Sequence, residues 1–546
     1  MEGSEFDVII LGCGASGMIA AIAAHEKGLK VGIFEKESVV GGTAAISGGI
    51  IWAPMNTHMK DADIYDSKEN ALNYFMSLSQ GDIDTELLNA FIENCSEAIS
   101  FLEETTPASL SILSGYPDYY LDRPGSISGG GRALDNALFS FLELGDWKTK
   151  VRSNEPSLPM TLSETPLGGG TGLIDQEVMI KRQESESRGM GQALIGALLK
   201  GCLDRGIEPF IEAKALKLII DGDSVIGADI EIKKEVQTIK ASRGVIIATG
   251  GFEWNEGLVS AFLRGPMTHP ASPPSNTGDG LIMAQEVGAS LDNMTSAWWT
   301  PVLVIPESSW EDGNQRSSPV LMERTLPHSI IINNEGNRFC NEATNYSALA
   351  GAFQSFDPKS YSYSNLPAWI IFDSSYRSNY IVGNSLPGTK TPDWMMEDDT
   401  LEGLEEKIGI EKGNLSNTVN NFNIYVEGGE DLDFSRGNSE YDYFYGDRSL
   451  EGISSTLGKI EVGPFYAVEL KMGCLGTNGG PKTNKYGQVL SVRGDEIPGL
   501  YAVGNAMAGA TGSVYAGAGG TLGPALTFGY IAGRHCAGIN ELKEVE

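Results

Sequence analysis

The N-terminal stretch of this chain constrains its fold more than any other part. An apolar, β-branched run, Val8–Leu11, is typical of a strand buried on both faces of a sheet. It is followed at once by Gly12, Gly14 and Gly17 in a G-x-G-x-x-G spacing, and then by an Ala- and Ile-rich segment, 18–27, that predicts a helix. Such glycines permit a tight turn, a close approach of backbone to a pyrophosphate, and close packing of the helix on the strand. The stretch therefore predicts a dinucleotide-binding βαβ unit.

Two further features of this unit indicate where the nucleotide would bind. Ser16 lies just before the predicted helix, whose N-terminal free N–H groups and positive dipole end favour phosphate. Glu35 closes the second predicted strand, where a carboxylate can accept hydrogen bonds from ribose hydroxyls.

A second loop rich in glycine and hydroxyl groups distinguishes this unit from a simple NAD-binding one. An NAD-binding unit would normally continue directly into its next helix. Here the chain instead presents Gly42, Thr43, Ser47, Gly48 and Gly49, where the far half of a larger dinucleotide would lie. Thr43 and Ser47 can hydrogen-bond a phosphate or a ring.

Three later segments extend the pattern in order along the chain: a buried strand ending at residues 248–251, the stretch 276–280, and the stretch 499–505. Together with the first two loops they resemble the FAD site of the fumarate reductase and succinate dehydrogenase flavoprotein superfamily. The resemblance implies an FAD cofactor, and it carries over the following binding residues: Gly12, Gly14, Ser16, Gly17, Glu35, Gly42, Thr43, Ser47, Gly48, Gly49, Ala248, Thr249, Gly250, Asp279, Gly504, Asn505, Gly520 and Leu522. The attachment loop, Thr43–Ser47, contains no histidine, so the FAD is expected to be non-covalent.

The predicted fold class is α/β, with a Rossmann-like FAD-binding domain and an inserted α+β catalytic (capping) domain. The boundaries are expected at 1–294 and 465–546 for the FAD-binding domain and at 295–464 for the catalytic domain. Strands are predicted at 208–212, 215–220, 225–232 and 236–241, a final helix at 524–535, and a polar surface excursion at 150–185.

Composition narrows the possible partners. The net charge of −33 over 546 residues makes nucleic acid an unlikely partner, because phosphate binding needs clustered Lys and Arg. The six cysteines form no C-x-x-C pair, so neither disulfides nor a structural zinc is indicated. The sequence predicts neither a leader segment nor a membrane span, so we expect a cytoplasmic protein with at most peripheral membrane contact. The family resemblance implies a bacterial enzyme.

The positions that carry cations in the dicarboxylate-reducing members of the superfamily are occupied by other residues here. The frame Arg338–Glu342 is retained, but Tyr346 stands where the catalytic arginine would fall. The loop 512–524 contains neither arginine nor histidine, and the stretch 471–477 lacks the family's histidine. Because guanidinium groups dominate carboxylate recognition, fumarate or urocanate-type reduction is disfavoured.

The tyrosines resemble those of the 3-ketosteroid Δ1-dehydrogenases instead. The matching motifs are Tyr116-x-x-Tyr119, Asn-Glu-x-x-x-Tyr346 and Tyr515-Ala-Gly-x-Gly519. Two positions depart from the usual Tyr-Ala-Gly-Pro-Gly-Ala-Thr, because this chain has Ala518 and Gly520. A looser loop there is expected to widen the site or to shift the position that is oxidised.

The resemblance implies a mechanism. The Tyr515 hydroxyl and the Gly519 N–H would polarise the C3 carbonyl as an oxyanion site. Tyr346, backed by Tyr119, would remove the C2 proton as general base, a role that needs its pKa lowered by the site, and the C1 hydride would pass to flavin N5. Tyr116, Ser47 and Trp299 are expected to contact the steroid.

The sequence leaves other functions open. A 3-keto-5α-steroid Δ4-dehydrogenase, or a steroid ene-reductase working in the opposite direction, fits the same motifs. A non-catalytic flavoprotein is disfavoured by the retained tyrosines. The resemblance also implies a quinone or similar electron acceptor.

Overall fold

The computed structural model describes residues 5–153, 157 and 159–542. Part of the predicted surface excursion, residues 154–156 and 158, lies outside the described residues, as do both ends of the predicted FAD-binding domain.

The chain forms helices and strands along its whole described length. The strands are β1 Glu5–Leu11, β2 Val31–Phe34, β3 Ile51–Trp52, β4 Leu110–Ile112, β5 Ala133–Asn136, β6 Phe139–Ser140, β7 Ser187–Arg188, β8 Ala213–Asp221, β9 Ser224–Ile232, β10 Glu235–Ile247, β11 Leu291–Asp292, β12 Ala297–Ser309, β13 Gln315–Pro319, β14 Ser329–Ile332, β15 Phe356–Asp357, β16 Ser362–Tyr363, β17 Ala368–Asp373, β18 Met396–Asp398, β19 Phe465–Thr477, β20 Gly480–Pro481, β21 Gln488–Leu490 and β22 Glu496–Ala502. The α-helices are α1 Ala15–His25, α2 Thr57–Asp61, α3 Lys68–Leu78, α4 Thr85–Thr105, α5 Gln176–Glu184, α6 Met190–Leu203, α7 Glu256–Phe262, α8 Asp279–Glu286, α9 Leu349–Phe353, α10 Ser374–Asn379, α11 Leu401–Ile408, α12 Asn414–Gly428, α13 Glu440–Tyr445 and α14 Leu522–Cys536.

Two compact units share these elements. The first comprises residues 1–263, 272–297 and 476–546, and the second comprises 264–271 and 298–475. The mixture of helices and sheets confirms the α/β class, while the predicted domain boundaries remain a prediction.

The first unit is built on a seven-stranded sheet in which β1 lies between β2 and β10. β1 pairs with both neighbours in parallel, and β10 pairs in parallel with β22. Val8–Leu11 are almost completely buried, as expected for the middle of a sheet covered on both faces. Parallel pairing places the carboxyl ends of all four strands at the same edge.

Small residues allow α14 to pack closely on α1. A Cβ at Gly529 would lie 2.5 Å from the Ser16 carbonyl oxygen, and one at Gly533 would lie 2.4 Å from that of Ala20. The two helices therefore meet along their backbones, and the start of α14 is held beside the start of α1.

One predicted strand in this unit is wrong. Residues 208–212 make only a single bridge, between Phe210 and Phe34 at the end of β2. The chain then bends, with Glu212 at a positive φ of 52°. The Phe210 ring stacks on the Phe34 ring, with centroids 4.9 Å apart. This packing explains why an apolar residue stands here, a pattern that is also typical of a strand.

The second unit contains a six-stranded sheet with the order β13-β12-β19-β17-β14, and β18 adds to β19. β14, β17 and β19 are paired antiparallel, and the apolar faces of α11 and α12 pack on them. After β14 the chain turns at residues 333–337 and forms a hairpin, in which Arg338 bridges back to Ile332.

A buried ionic cluster fixes the chain after this hairpin. Glu342 accepts two hydrogen bonds from Arg338, at 2.8 Å each, and a third from Arg436 at 3.2 Å. Asp431 accepts two more from Arg338, at 2.8 and 2.9 Å. Burial alone would raise the pKa of Glu342, but Arg338 and Arg436 overcome it and hold that pKa below its usual value.

We predict that Glu342→Gln lowers the free energy of unfolding by about 3–5 kcal/mol at pH 7, because it leaves two buried guanidinium groups with one carboxylate fewer. Since the pKa of Glu342 is lowered on folding, its contribution is present above the unfolded pKa of about 4.3 and is lost as the pH falls through the folded value. Urea unfolding at pH 7 and at lower pH measures both effects. Glu335→Gln, on the exposed turn of the same hairpin, is the matched control. A Glu342→Gln protein as stable as the control at pH 7 would contradict the prediction.

Candidate active site

The first glycine loop has one side packed against protein and one side open. A Cβ at Gly12 would lie 2.3 Å from the Ala248 carbonyl oxygen, and one at Gly17 would lie 2.3 Å from the Gly12 carbonyl oxygen. Gly12 also has a positive φ of 107°, which only glycine adopts readily. A Cβ at Gly14 would meet nothing within 4 Å. Two glycines are thus required by packing, while the third leaves space for a ligand.

The start of α1 lies at this open side. Gly14 is the N-cap residue and provides no side-chain cap, so the amides of the first turn have no capping side chain. Ser16 lies in that turn, beside Gly504, whose Cβ would be 2.7 Å from the Ser16 hydroxyl oxygen. This arrangement suits a pyrophosphate, which takes hydrogen bonds from amides and the positive end of the helix dipole.

Glu35 is held rigidly at the end of β2. Its carboxylate accepts hydrogen bonds from the Cys13 N–H at 2.9 Å and the Glu37 N–H at 3.0 Å. Burial raises the pKa of Glu35, against the lowering effect of these two amides. A carboxylate has about four acceptor positions, so capacity for ribose hydroxyls remains.

The second loop is folded partly by its own hydroxyl groups. The Ser47 hydroxyl donates to the Ala44 carbonyl oxygen at 2.8 Å and accepts from the Gly49 N–H at 3.0 Å. Ser47 therefore has a demonstrable role in shaping the loop, and its predicted contacts with cofactor and substrate remain predictions. Gly42 has a positive φ of 51° and open space around its Cβ position.

A buried carboxylate that the sequence analysis missed lies behind this loop. Glu253 accepts hydrogen bonds from Ser272 at 2.6 Å, from Asn276 at 2.7 Å and from the Thr477 N–H at 3.1 Å. Asn276 also donates to the Thr43 hydroxyl at 2.9 Å, so the carboxylate orients Thr43 through the amide. Burial raises the pKa of Glu253. The hydrogen bonds from uncharged donors lower this pKa but do not overcome the effect of burial. No periodicity marks this residue, and only its position after the Gly250 turn could have indicated it.

The segments 248–251 and 276–280 bring Thr249 and Asp279 to the same edge of the sheet. The Thr249 hydroxyl oxygen is buried and has no hydrogen-bond partner among the described residues. Asp279, at the start of α8, pairs with Lys36 at 2.7 Å. Lys36 directly follows Glu35 and was not among the predicted residues.

The C-terminal segment supplies the remaining predicted cofactor residues. Gly504 has a positive φ of 64°, and a Cβ at Gly476 would lie 2.5 Å from the side-chain nitrogen of Asn505. The Gly520 N–H donates to the Gly517 carbonyl oxygen at 3.0 Å, and Leu522 is the first residue of α14.

Two of the predicted catalytic tyrosines lie side by side in the first unit. The rings of Tyr119 and Tyr515 are both buried and stack with centroids 5.6 Å apart and an angle of 22° between their planes. Tyr116, on the same loop as Tyr119, is buried as well. Gly519 has a positive φ of 88°, and a Cβ there would lie 2.5 Å from the Ile50 carbonyl oxygen. Only glycine fits this position.

Tyr346 and Trp299 are buried residues of the second unit. Arg324, which the sequence analysis did not single out, lies fully buried near the segment that leads to Tyr346. Its guanidinium donates to the carbonyl oxygens of Glu342 and Thr344. Tyr346 stands at the position where the sequence motif would place a catalytic arginine. The backbone just before Tyr346 is fixed by another arginine, Arg324.

The residues of the first unit fit an FAD molecule. Space is open beside Gly14 and Gly42, and the buried Thr249 hydroxyl has no hydrogen-bond partner among the described residues. Contacts within the chain do not fill these positions, so they suit a bound cofactor. Among the described residues no cluster of His, Cys, Asp and Glu could hold a metal ion, and no helix is long and apolar enough to cross a membrane.

Comparison with known proteins identifies the family. The sequence profile of the FAD binding domain family matches residues 7–522. A 4-oxocyclohexanecarboxylate 2-dehydrogenase of Sinomonas cyclohexanicum is 38% identical over 98% of this chain and 93% of its own length. A 3-oxosteroid 1-dehydrogenase of Mycobacterium tuberculosis is 34% identical over 98% and 99%.

A solved structure agrees with these relatives. The 3-ketosteroid Δ1-dehydrogenase of Sterolibacterium denitrificans, in complex with 1,4-androstadiene-3,17-dione, superposes with a TM-score of 0.91 at 33% identity, over 98% of this chain and all of the other. The predictions of the family and of the FAD cofactor are thereby confirmed. The chain belongs to the FAD-binding flavoprotein family that includes the 3-ketosteroid Δ1-dehydrogenases.

Proposed function

We propose that this protein is an FAD-dependent 3-oxosteroid 1-dehydrogenase, which introduces a C1–C2 double bond into the A ring of a 3-ketosteroid. The observation that carries the proposal is the stacked pair Tyr119 and Tyr515 beside Gly519, in a chain whose structural neighbour holds a steroid 1,4-diene. The relatives named as 3-oxosteroid 1-dehydrogenases cover nearly the whole chain.

The loop 515–519 would act on the ring carbonyl. In this proposal the Tyr515 hydroxyl and the Gly519 N–H donate hydrogen bonds to the C3 oxygen. These hydrogen bonds become stronger as the ketone becomes enolate-like. Gly519 is a partly buried residue in a left-handed conformation, which we propose presents its amide to the ketone. Polarisation of the carbonyl acidifies the neighbouring C2–H.

Tyr346 is proposed as the general base that takes the C2 proton, with Tyr119 in support. The chemistry that bound FAD supplies is acceptance of the C1 hydride, so one proton and one hydride leave and the C1–C2 double bond forms. Gly12, Gly14, Ser16, Gly17, Glu35 and Thr43 would hold the cofactor, with the other predicted residues of the first unit. We further propose a quinone or similar electron acceptor, a cytoplasmic location and at most peripheral membrane contact.

A second candidate is the α,β-dehydrogenation of a 4-oxocyclohexanecarboxylate, favoured by the 38% identical relative of that name. The reacting group would be the same, a ring ketone beside two adjacent C–H bonds. A carboxylate substrate, however, needs a cation to receive it. The loop 512–524 contains no Lys, Arg or His, and Lys471 in β19 pairs with Glu469. We therefore rank the uncharged steroid first.

The choice between substrates is directly testable. We expect anaerobic 4-androstene-3,17-dione to bleach the oxidised flavin and to yield the 1,4-diene, identified by mass and NMR. Bleaching by a saturated 5α-3-ketosteroid to a 4-ene would favour the Δ4-dehydrogenase alternative. Bleaching by 4-oxocyclohexanecarboxylate alone would overturn the steroid assignment.

We predict that Tyr515→Phe lowers kcat about 10²–10³-fold, the usual cost of losing one oxyanion donor. Tyr346→Phe should lower kcat about 10²–10⁴-fold, because it removes the proposed base. Both proteins should retain the flavin absorbance of the wild type. Tyr501→Phe and Tyr380→Phe, which remove hydroxyls bonded to His535 and Asp447, are controls in the first and second units. Wild-type turnover in either catalytic variant would remove that residue from the mechanism.

We also predict that acid precipitation releases the flavin into the supernatant. The loop Thr43–Ser47 contains no histidine to which FAD could be attached, so the cofactor is expected to be held by non-covalent contacts. Yellow colour that stays with the precipitated protein, and with its tryptic peptides, would contradict this prediction.

A further inference from the structure

A buried tyrosine joins the two loops that carry Tyr119 and Tyr515. Tyr74, in α3, has no exposed surface. Its hydroxyl donates to the Ala516 carbonyl oxygen at 2.7 Å and accepts from the Tyr120 N–H at 3.1 Å. One hydroxyl therefore binds the residue after Tyr515 and the residue after Tyr119.

The carbonyl oxygen of Ala516 is shared with the other loop. The Tyr119 N–H also donates to it, at 3.1 Å. Both lone pairs of this oxygen are used, one by the Tyr74 side chain and one by the neighbouring backbone. The relative position of the Tyr119 and Tyr515 backbones is thus defined by two hydrogen bonds at one atom.

Trp52 makes a second link between the same loops. Its indole N–H donates to Asp118 at 2.9 Å, and its backbone N–H donates to the Gly519 carbonyl oxygen at 3.2 Å. A Cβ at Gly517 would lie 2.5 Å from the indole nitrogen, so the loop packs directly on this ring.

Arg132 holds the two aromatic residues in place. Its guanidinium pairs with Asp66 at 2.6 Å and Asp118 at 2.7 Å, and it lies over the rings of Trp52 and Tyr74 at 5.4 and 5.6 Å from their centroids. All of these side chains are buried, where such contacts are strongest. Burial, followed by the Asp118 carboxylate, holds the pKa of Tyr74 far above its usual value, so the phenol keeps its proton for Ala516.

We propose that Tyr74 is a positioning residue for the dehydrogenation, which together with Trp52 fixes the oxyanion donors of loop 515–519 against Tyr119. The expected effect on catalysis rests on the proposed function. The linkage of the two loops by Tyr74 does not depend on that function. Hydrogen exchange, which needs no substrate, therefore tests the linkage separately.

The test is Tyr74→Phe in the FAD-loaded, full-length protein. We expect amide hydrogen exchange in peptides covering 116–120 and 515–523 to become about 10-fold faster, because the Tyr120 N–H loses its acceptor and Ala516 loses a donor. With the ketone that the wild type oxidises, kcat should fall about 10–100-fold while KM changes much less, because misplaced donors act mainly in the transition state.

Tyr376→Phe is the matched control. Tyr376 is also fully buried, and its hydroxyl donates to the Glu323 carbonyl oxygen at 2.7 Å in the second unit. This variant loses the same kind of bond and should lose similar stability. It should leave kcat and the exchange of both loops unchanged.

Unchanged exchange in both loops of Tyr74→Phe, or equal effects of the two variants on kcat, would overturn the proposal. If Tyr74→Phe does not fold, hydrogen exchange of the wild-type protein tests the linkage instead. The Tyr120 amide should then exchange as slowly as core amides. Exchange of this amide at the rate of an open loop would refute the linkage. A wild type that oxidises no ketone refutes the proposed function, whereas the exchange data still decide on Tyr74.

Discussion

The parallel pairing of β1 with β2 and β10, and of β10 with β22, is the constraint on which the first unit depends. It places the ends of four strands at one edge, where Gly12, Glu35, Ala248 and Val503 follow in turn. In open α/β sheets, ligands bind beyond the carboxyl ends of the strands. The predicted FAD residues come from distant parts of the sequence, and this register is what assembles them.

The buried carboxylates Glu35, Glu253 and Glu342 differ in the kind of donor that binds them. Glu35 and Glu253 accept their hydrogen bonds from uncharged donors, and burial raises the pKa of both. Glu342 is held between Arg338 and Arg436, which lower its pKa despite complete burial. The first kind orients loops at the cofactor edge without fixing a charge pair there, and the second kind locks the segment that precedes Tyr346.

Local patterns predicted the first βαβ unit, because its glycine spacing and apolar periodicity are properties of neighbouring residues. The helix was expected at 18–27 and is found at Ala15–His25. Long-range contacts gave no such signal: Tyr74 and Ala516 are 442 residues apart, and Glu253 and Thr477 are 224 apart. The strand expected at 208–212 was wrong, since only Phe210 bridges to the end of β2, where its ring stacks on that of Phe34.

The departures at 518 and 520 from the family's loop pattern can be understood through these long-range contacts. A proline at 518 would stiffen the loop by fixing φ. In this chain Ala518 cannot do so, yet its neighbours are held from outside the loop, Ala516 by Tyr74 and Tyr119 and Gly519 by Trp52. The backbone on either side of Ala518 is therefore positioned by contacts that do not involve the Ala518 side chain. A loop that looks loose in sequence is thus bonded to residues of α3 and β3, and a shift in the position that is oxidised stays a prediction.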